Sequence, residues 1–442
     1  MSQQTKTIVL DDDPTGSQTV HGCLLLTRWD VDILRVALAD SSPLFFILTN
    51  TRGMSAERAD AVTREVCINL RLALAASAAA GQAINPILVS RSDSTLRGHY
   101  PVETDVIAEL LGPFDAHFLV PAFFEGGRIT RDSTHFLMVN GEPVPVHQTE
   151  FARDSVFGYQ HSYLPDYVAE KTLGRIAANQ VERFVLADVR GDISVRLLGL
   201  QNNVCGVVDA EQQTDLDSFS SQIQAAAMTG KRFLFRSAAS LLTSLAKLGA
   251  QPVAPTQMAH YVRNGRAGAV VVGSHVQKTT AQLQVLLQQP HIAGVEIDVG
   301  RIASERTLLL QEVIALTQAA HARDETAVVY TSRVEKTFSN QAERLAFGEQ
   351  VSALLMDVVR NLPVTIGFLI SKGGITSNDV LSDGLALRTS RVLGQILAGC
   401  SVVRCPSDHV RYPDLPVVIF PGNVGDDHAL ATVYQRLCGV VG

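Results

Sequence analysis

Three consecutive carboxylates stand directly behind a short apolar run early in the chain. The stretch "KTIVLDDDPTGSQTV" places Asp11, Asp12 and Asp13 between the run TIVL and a Pro-Thr-Gly turn. Adjacent carboxylates repel one another, so a purely structural role requires that one of them forms an Asx-turn ahead of Pro14. The alternative is a binding or catalytic site, in which Asp12 and Asp13 accept hydrogen bonds from sugar hydroxyls or one of them removes a hydroxyl proton.

A second polar segment, "RSDSTLRGHY", follows the strand-like run NPILVS. Two arginines there bracket a carboxylate and several hydroxyls, and the residues concerned are Arg91, Ser92, Asp93, Ser94, Thr95 and Arg97. Guanidinium groups bind carboxylates through two hydrogen bonds, and neighbouring hydroxyls can bind further oxygens, so this set suits a small hydroxylated acid. A helix cap combined with an ion pair is the structural alternative.

A third segment, "PAFFEGGRIT", follows another strand-like run and contains Glu125 and Arg128 on either side of a Gly-Gly pair. The glycines allow the backbone to approach a ligand closely, next to one more cation. We therefore add Glu125 and Arg128 to the predicted substrate site.

In the second half, "VVVGSHVQKTTAQLQVLL" places Gly273 and Ser274 between a strand and a helix, where unpaired N–H groups and the helix dipole favour an anion such as phosphate. The segment is not a Walker A loop, because that motif requires glycine where Lys278 stands. Ordinary N-capping of the helix by Ser274 is the structural alternative.

Two further turns in the second half have the same character. In "FLISKGGITSNDV", Lys372 and a Gly-Gly pair follow a strand, an arrangement that brings bare backbone amides to phosphate oxygens unless it is a plain helix cap. "VVIFPGNVGDDHAL" repeats the arrangement at Gly422 and Asn423. Asp426 and its neighbour Asp427 either hold a magnesium ion through water or simply favour the following helix.

The composition limits the functions to consider. The chain has 442 residues, of which 46% are hydrophobic and 18% are charged, and its net charge of −7 argues against generic nucleic-acid binding. No signal-peptide pattern and no apolar run of about 18 residues appears, so we predict a soluble cytoplasmic protein without a membrane partner. The six cysteines are scattered and the histidines form no HExxH motif, so a structural metal is not predicted.

The elements that must position these polar segments alternate along the chain. Runs such as TIVL, LFFILT and AHFLVPA are strand-like, whereas "AERADAVTREVCINLRLALAA" has a helical period. This alternation predicts an α/β fold with two α/β domains and mainly parallel sheets. In such sheets the loops at the carboxyl ends of the strands line the ligand crevice, and the polar segments fall at those positions.

The domain boundary is predicted between Gly249 and His260. The run "GAQPVAPTQMAH" concentrates Pro, Ala and Gln without a clear period, and "GAVVVGS" then opens a new strand-to-helix series. We therefore place an N-terminal domain at residues 1–250 and a C-terminal domain at residues 256–442.

Six segments, "DDDPTGSQT", "RSDSTLRGH", "PAFFEGGRIT", "GSHVQKT", "SKGGITS" and "FPGNVG", resemble in this order the four-carbon acid sugar kinase family, formerly a domain of unknown function. The resemblance spans nearly the whole chain. It implies an N-terminal domain that binds the acid sugar, a C-terminal domain that binds ATP, and an active site in the cleft between them. It also implies a phosphotransferase that phosphorylates threonate, erythronate or 3-oxo-tetronate on a hydroxyl, which we expect to be the terminal one.

The resemblance assigns residues on both sides. The family's Asp-Asp-x-Thr-Gly motif begins at Asp12, and its Asp-Ser-Thr-Leu-Arg-Gly motif begins at Asp93. Its ATP positions fall on residues of three turns: Ser274, Gly373, Gly374, Ile375, Thr376 and Gly422. Many members have an acidic residue where Ile375 stands, so Asp379 or Asp426 would have to serve if a carboxylate is needed there.

These assignments give specific roles. We expect Asp12 or Asp13 to orient or deprotonate the substrate hydroxyl, and Arg91 and Arg97 to hold the substrate carboxylate. Lys372 is the predicted cation beside ATP, because phosphoryl transfer depends mostly on positioning and charge neutralisation. The expected ligands are ATP, magnesium with unassigned protein ligands, and the acid sugar. The pattern also allows a homodimer.

Two other functions stay open at this point. A nucleotide-dependent dehydrogenase of hydroxy acids would use the same kind of domain, but the chain has no GxGxxG motif. A non-catalytic acid-sugar sensor would keep the N-terminal site and use the second domain for partners, although the three glycine-rich turns argue against it. Measured ATP consumption would separate the three functions.

Overall fold

The computed structural model describes residues 4–333 and 340–440. The chain divides after Gly249 into two compact units, which we call the N unit (Met1–Gly249) and the C unit (Ala250–Gly442). Both units are α/β structures in which most neighbouring strands run parallel, and this confirms the predicted fold class. No helix in the described ranges has the length and apolar character needed to cross a bilayer.

The strands of the N unit are β1 (Gln4–Asp11), β2 (Leu24–Leu26), β3 (Leu44–Leu48), β4 (Ile84–Arg91), β5 (Ala116–Val120), β6 (Arg128–Arg131), β7 (Thr134–Val139), β8 (Glu142–Pro145), β9 (Glu182–Phe184), β10 (Val204–Val208) and β11 (Phe233–Ser237). The parallel sheet has the order β2-β3-β1-β4-β11-β5-β10-β9, and β6, β7 and β8 form a separate antiparallel sheet. Strands buried on both faces explain why the sequence shows continuous apolar runs rather than alternation.

The helices of the N unit are α1 (Val31–Ala39), α2 (Ala56–Ala79), α3 (Val102–Leu111), α4 (Leu164–Lys171), α5 (Leu186–Val189), α6 (Ser194–Gly199), α7 (Gln213–Met228) and α8 (Ser240–Ala246). The helical period seen in the sequence is confirmed at α2, which begins after Ser55, whose side chain accepts a hydrogen bond from the Arg58 backbone N–H. Its apolar face packs with α1 and α3 against Ile8, Phe45 and Leu88 of the sheet.

The C unit contains the strands β12 (Ala269–Val272), β13 (Ile292–Ile297), β14 (Thr326–Thr331), β15 (Leu369–Lys372), β16 (Thr389–Leu397), β17 (Cys400–Arg404) and β18 (Pro416–Phe420). Its helices are α9 (Gln277–Leu286), α10 (Ile302–Ala322), α11 (Gln341–Arg360), α12 (Gly374–Asp379), which continues into a π-helical turn, and α13 (Ala429–Leu437). The strand order is β13-β14-β12-β15-β18-β17-β16, and β17 runs antiparallel to both of its neighbours.

Strand register gathers the polar segments at one edge of each sheet. In the N unit, Asp11 at the end of β1 lies opposite Leu48 of β3 and Arg91 of β4. In the C unit, Val272 of β12 lies opposite Lys372 of β15. The loops that leave these strands at their carboxyl ends are therefore neighbours in space, as parallel α/β sheets require.

Candidate functional site

Arg52 binds two of the three consecutive aspartates at the end of β1. It lies in a short 3-10 helix directly after β3, and its Nη2 and Nε atoms lie 2.5 Å and 3.2 Å from the two carboxylate oxygens of Asp12. Its Nη1 atom lies 3.2 Å from Asp13 Oδ2 and 3.9 Å from Asp93 Oδ1. This cation offsets the repulsion between Asp12 and Asp13, which explains how the chain tolerates these two carboxylates side by side.

Asp11 and Arg91 form a buried ion pair. Arg91 Nη1 lies 3.3 Å from Asp11 Oδ1 and 3.8 Å from Asp12 Oδ1. A Cβ atom at Gly16 would lie 2.0 Å from Asp11 Oδ2, so only glycine fits against this carboxylate. Burial raises the pKa of Asp11 to about 7, although the charge of Arg91 acts in the opposite direction. Arg91, which was predicted to hold the substrate carboxylate, is thus placed against a carboxylate of the protein itself.

Asp13 forms the Asx-turn that was the structural alternative for this segment. Its Oδ1 atom accepts hydrogen bonds from the Thr15 N–H at 2.8 Å and the Thr15 hydroxyl at 2.5 Å. Burial acts to raise the pKa of Asp13, but the charges of Arg52 and Arg91 outweigh it and lower the pKa. The Asp13 side chain is 21% exposed against 1% for Asp12, so Asp13 is the more accessible carboxylate.

The segment after β4 is held by its own polar groups. Asp93 Oδ2 accepts from the Thr95 N–H at 3.2 Å and from Arg97 Nε at 2.8 Å. Burial opposes ionisation of Asp93, but Arg52 and Arg97 outweigh it and hold the pKa well below its usual range. The Tyr159 hydroxyl donates to the Thr95 carbonyl at 2.7 Å and supports the loop from behind. The ion pair of the structural alternative is therefore present, but its helix cap is not, because the N-cap residue of α3 is Pro101 and makes no side-chain cap.

Ser92 and Ser94 are buried in the same loop. Ser92 and Asp93 line a small pocket together with Arg236, Tyr100 and Tyr167. The two serines predicted for substrate binding therefore lie in the same loop as Asp93, at the carboxyl end of β4.

Arg236 and Glu103 form a second buried pair beside this loop. Arg236 Nη1 lies 2.5 Å from Glu103 Oε2 and 2.6 Å from Ser90 Oγ. Gly98 has a φ of +116°, and a Cβ atom there would lie 2.7 Å from Arg236 Nη2 and 3.0 Å from Asp12 Oδ2. Glycine at this position lets the loop backbone approach both charged groups.

Arg128, at the start of β6, forms no ion pair with a carboxylate among the described residues. Its Nη1 atom donates to the Gly126 carbonyl, and its buried Nε atom has no hydrogen-bond partner within residues 4–333 and 340–440. The guanidinium carbons of Arg97 and Arg128 lie 5.0 Å and 6.0 Å from the centre of the Phe151 ring. Burial lowers the pKa of Arg128. Glu125 is exposed and stays a predicted ligand contact only.

The three glycine-rich turns of the C unit meet around Ser274. A Cβ atom at Gly273 would lie 2.3 Å from Thr376 Oγ1, and one at Gly373, where φ is +120°, would lie 3.1 Å from Ser274 Cβ. A Cβ atom at Gly422 would lie 3.5 Å from Ser274 Oγ. We call these three segments the glycine turns. Bare backbone at such a convergence can present several N–H groups to one anion.

Ser274 does not cap α9, so the N-capping alternative is wrong. The helix begins at Gln277, and its N-cap residue is Val276, which makes no side-chain cap. The Ser274 hydroxyl instead accepts a hydrogen bond from Thr279 Oγ1 at 3.1 Å, and Thr279 Oγ1 also lies 3.3 Å from the Gly422 carbonyl oxygen. Thr279 therefore ties two of the glycine turns together.

Lys372 stabilises the glycine turn that contains Gly422. Its Nζ atom donates to the Pro421 carbonyl at 2.6 Å and the Gly422 carbonyl at 3.2 Å, and it lies 4.0 Å from the centre of the Phe420 ring. Burial lowers the pKa of Lys372 to about 7. Lys372, which was predicted as the cation beside ATP, thus donates its hydrogen bonds to backbone carbonyl groups of the protein. Ile375 and Asn423, also predicted at the nucleotide, are both exposed.

Two of the carboxylates named as candidate magnesium ligands, Asp379 and Asp426, have protein partners. Asp379 accepts from Asn378 Nδ2 at 3.2 Å and from the Ser352 hydroxyl, and Asp426 Oδ1 accepts from the His428 N–H at 3.0 Å. Within the described residues, no group of three or more His, Cys, Asp or Glu side chains is arranged to hold a metal ion. A metal centre built from protein ligands alone therefore does not fit this part of the chain.

Arg52 and Arg236 were not predicted from the sequence. Both nevertheless lie close to where the rule used for the other segments applies, because Arg52 follows the run "LFFILT" and Arg236 is the next-to-last residue of the run "FLFRS". Reading every strand end, and not only the segments rich in Gly, Ser and Asp, would have found them. Glu103 had no such signal, since it lies inside α3.

The comparisons with known proteins follow the same division. Residues 7–245 match the family model described as a sugar-binding N-terminal domain, and residues 269–430 match the one described as a nucleotide-binding C-terminal domain. The protein therefore joins a sugar-binding unit to a nucleotide-binding unit. The chain belongs to the four-carbon acid sugar kinase family, as its motifs suggested.

Individual relatives are distant. The D-erythronate kinase of Heliobacterium modesticaldum is 29% identical over 226 residues, which make up 48% of this chain and 47% of that protein. The chain thus aligns with about half the length of this curated relative. A solved structure from Salmonella typhimurium LT2 has a TM-score of 0.70 at 17% identity, covering 99% of this chain and 100% of that chain. A Haemophilus influenzae protein has a TM-score of 0.63 at 15% identity, covering 97% and 100%. These two structures share the fold.

Proposed function

We propose that this protein is an ATP-dependent kinase that phosphorylates a four-carbon acid sugar on a hydroxyl, with threonate, erythronate and 3-oxo-tetronate as the candidate substrates. The main observation that supports this function is that a sugar-binding unit and a nucleotide-binding unit share one chain. Each unit has a polar cluster at the carboxyl ends of its parallel strands. The similarity to a D-erythronate kinase supports the substrate class. We expect the terminal hydroxyl to be the acceptor.

We assign the substrate carboxylate to Arg128. The other arginines around the acidic residues already face a carboxylate of the protein, in the pairs Arg52–Asp12, Arg91–Asp11, Arg97–Asp93 and Arg236–Glu103. Within the described residues, Arg128 lacks such a partner and keeps a buried Nε–H unpaired. A partly buried, unpaired cation is costly, so it favours a ligand that brings the missing anion. In this proposal Arg97 is a neighbour of the carboxylate, and Arg91 supports the acidic residues.

We assign the hydroxyl of the substrate to Asp13. Its pKa is lowered, so it is ionised at neutral pH and can accept a hydrogen bond from the hydroxyl. Asp12 has both oxygens bound to Arg52 and is buried, so its role in this proposal is to position Arg52. In phosphoryl transfer, orienting the nucleophile matters more than strong basicity, because the transition state is loose. A low pKa is therefore compatible with the assigned role.

We assign ATP to the glycine turns of the C unit. Their backbone amides would bind phosphate oxygens around Ser274, and the predicted contacts from Gly373 to Thr376 and at Gly422 and Asn423 belong to the same site. Lys372 acts indirectly, because it holds the Pro421–Gly422 turn in place. Magnesium would accompany ATP and be held mainly by phosphate oxygens and water, which is its usual mode at nucleotide sites.

The test is a substrate screen with purified protein, ATP and magnesium. Threonate, erythronate and their 3-oxo forms are offered separately, and ADP release is followed by a coupled assay. Threitol and erythritol serve as matched controls, because they keep the hydroxyls and lack the carboxylate. We expect ADP release with at least one acid and none with the polyols. A protein that binds ATP by calorimetry but releases no ADP with any of the acids would contradict the proposal.

A further inference from the structure

Arg333 follows β14 and lies against the turn that follows β12. The two strands are neighbours in the C-unit sheet, with Tyr330 opposite Val272, so both segments leave the sheet at the same edge. Arg333 Nη1 donates a hydrogen bond to the carbonyl oxygen of Ser274 at 2.6 Å. The guanidinium group is therefore placed beside the residue around which the glycine turns converge.

The rest of this guanidinium group is unpaired. Its Nε and Nη2 atoms are buried and have no hydrogen-bond partner within residues 4–333 and 340–440. Burial lowers the pKa of Arg333, and Tyr330 and Glu296 offset this only in part. A buried donor left unpaired lowers the stability of the fold, and does so more strongly when it is charged. Within the part of the chain that the structure describes, Arg333 is therefore a cation without an ion-pair partner at the edge of the nucleotide-binding unit.

Other cations near the glycine turns are less suited to this role. Lys372 Nζ is bound to the Pro421 and Gly422 carbonyls, and Lys278 Nζ donates to the Gly425 carbonyl at 3.1 Å. His275 has a pKa lowered by burial and by Arg333, so it is neutral at physiological pH. Of the four side chains compared, all within the described residues, Arg333 has the most unused donors.

We propose that Arg333 binds a phosphate group of the nucleotide held by the glycine turns. A guanidinium group offers planar, forked donors that match two phosphate oxygens, and its charge persists when it is buried. The backbone amides of the glycine turns would bind other oxygens of the same ligand. The inference rests on the proposed binding of ATP by the C unit and adds the residue that neutralises its phosphate charge.

The experiment compares Arg333→Met with a matched control, Arg323→Met. Methionine keeps an unbranched stem of similar length and removes the charge. Arg323 lies in the same unit, is 59% exposed and pairs with Glu325 at 2.7 Å, so its replacement makes the same change in net charge away from the turns. ATP and adenosine affinities are measured by calorimetry for the wild type and both variants.

We expect Arg333→Met to weaken ATP binding by about 10- to 100-fold, the loss typical of charge-assisted hydrogen bonds. Adenosine affinity should change by less than about twofold, because adenosine has no phosphate group for Arg333 to bind. Arg323→Met should bind both ligands as the wild type does. Arg333→Lys should lose less ATP affinity than Arg333→Met, since it keeps the charge without the fork.

Two results would overturn the role of Arg333. One is an ATP affinity in Arg333→Met equal to that of the wild type, and the other is an equal loss for ATP and adenosine, which indicates a structural role. If Arg333→Met does not fold, Arg333→Lys and Arg333→Gln supply the same comparison. A wild-type protein that binds no nucleotide would contradict the proposed function itself, whereas the two results above contradict only the assignment of Arg333.

Discussion

Arg52 and Asp12 form a two-point ion pair, with Arg52 Nη2 2.5 Å from one carboxylate oxygen and Nε 3.2 Å from the other. The same guanidinium group reaches Asp13 through its remaining nitrogen. Asp12 therefore determines where the cation next to Asp13 stands, while Asp13 keeps part of its surface open. The two aspartates are adjacent in sequence but differ in what their removal should change.

Asp13→Asn should lower kcat and leave KM near the wild-type value. The amide oxygen can still accept from Thr15 and preserve the Asx-turn, but the side chain loses the negative charge that orients the substrate hydroxyl. A hydrogen bond to a charged group is worth about 1.5 to 3 kcal/mol, so a fall in kcat of roughly 10- to 150-fold is expected. Steady-state kinetics with the best acid substrate measure it. A loss of only a few-fold in a folded variant would return Asp13 to a purely structural turn role.

Asp12→Asn should act mainly on stability and on the position of Arg52. Replacing the buried carboxylate weakens charged hydrogen bonds, which are worth roughly 1.5 to 3 kcal/mol each. We expect a lower free energy of unfolding in urea and a raised KM. An unchanged free energy of unfolding, together with a kcat loss as large as that of Asp13→Asn, would instead assign the catalytic carboxylate to Asp12.

Arg128→Met should raise KM for the acid substrate by about 10- to 100-fold and leave kcat nearly unchanged, because the carboxylate contact is made equally in the ground and transition states. Arg131→Met is the matched control. It lies on the same strand and is 50% exposed, and it pairs with Glu211. Equal KM values for Arg128→Met and the wild type would exclude Arg128 as the carboxylate ligand.

Gly273→Ala should weaken ATP binding, and Thr376→Ala in the same chain should restore part of it. The added methyl would lie 2.3 Å from Thr376 Oγ1, so one of the glycine turns must shift. Overpacking of this kind costs about 1 to 3 kcal/mol, which corresponds to roughly a 5- to 150-fold loss in affinity. Removing the Thr376 hydroxyl leaves room for the methyl. A double variant as weak as Gly273→Ala alone would show that the clash is not the cause.

Lys372 should make the stability of the protein depend on pH above neutrality. Its pKa is about 7 when folded against an ordinary value of 10.5, so between these limits the unfolded chain binds more protons than the folded one. Stability should therefore rise with pH in this window, by at most about 1.4 kcal/mol per pH unit. Urea denaturation at pH 7 and pH 9, for the wild type and Lys372→Met, measures the difference. Parallel behaviour of the two proteins would contradict the lowered pKa.

The sequence indicated where polar segments would gather but not which charges would pair. The rule that ligand loops follow parallel strands located the acidic run after β1 and the turns after β12, β15 and β18, because that rule depends only on local pattern. The pairing of Arg91 with Asp11 joins residues 80 positions apart, and that of Arg52 with Asp12 joins residues 40 apart. Such pairs follow from sheet order, which the local pattern does not contain.

The start of α9 also shows that local sequence does not determine local structure. A serine between an apolar run and an amphipathic segment predicts an N-cap, yet α9 begins three residues beyond Ser274. The residues before α9 stay non-helical, so Ser274 contacts Thr279 and lies next to the turn that contains Gly422. Contacts with the neighbouring turns, which come from distant parts of the chain, decide this local geometry.

The burial of Lys372 also makes it a chemical reporter. An amine with a pKa near 7 is about half unprotonated at pH 7, and the unprotonated form reacts with acylating reagents, but this amine is enclosed by the Pro421 and Gly422 carbonyls and the Phe420 ring. Reagent can reach it only when that turn opens. The rate at which Lys372 is acylated, followed by peptide mass spectrometry, therefore measures the opening frequency of the turn, and a ligand that closes the turn should slow the labelling of this one lysine selectively.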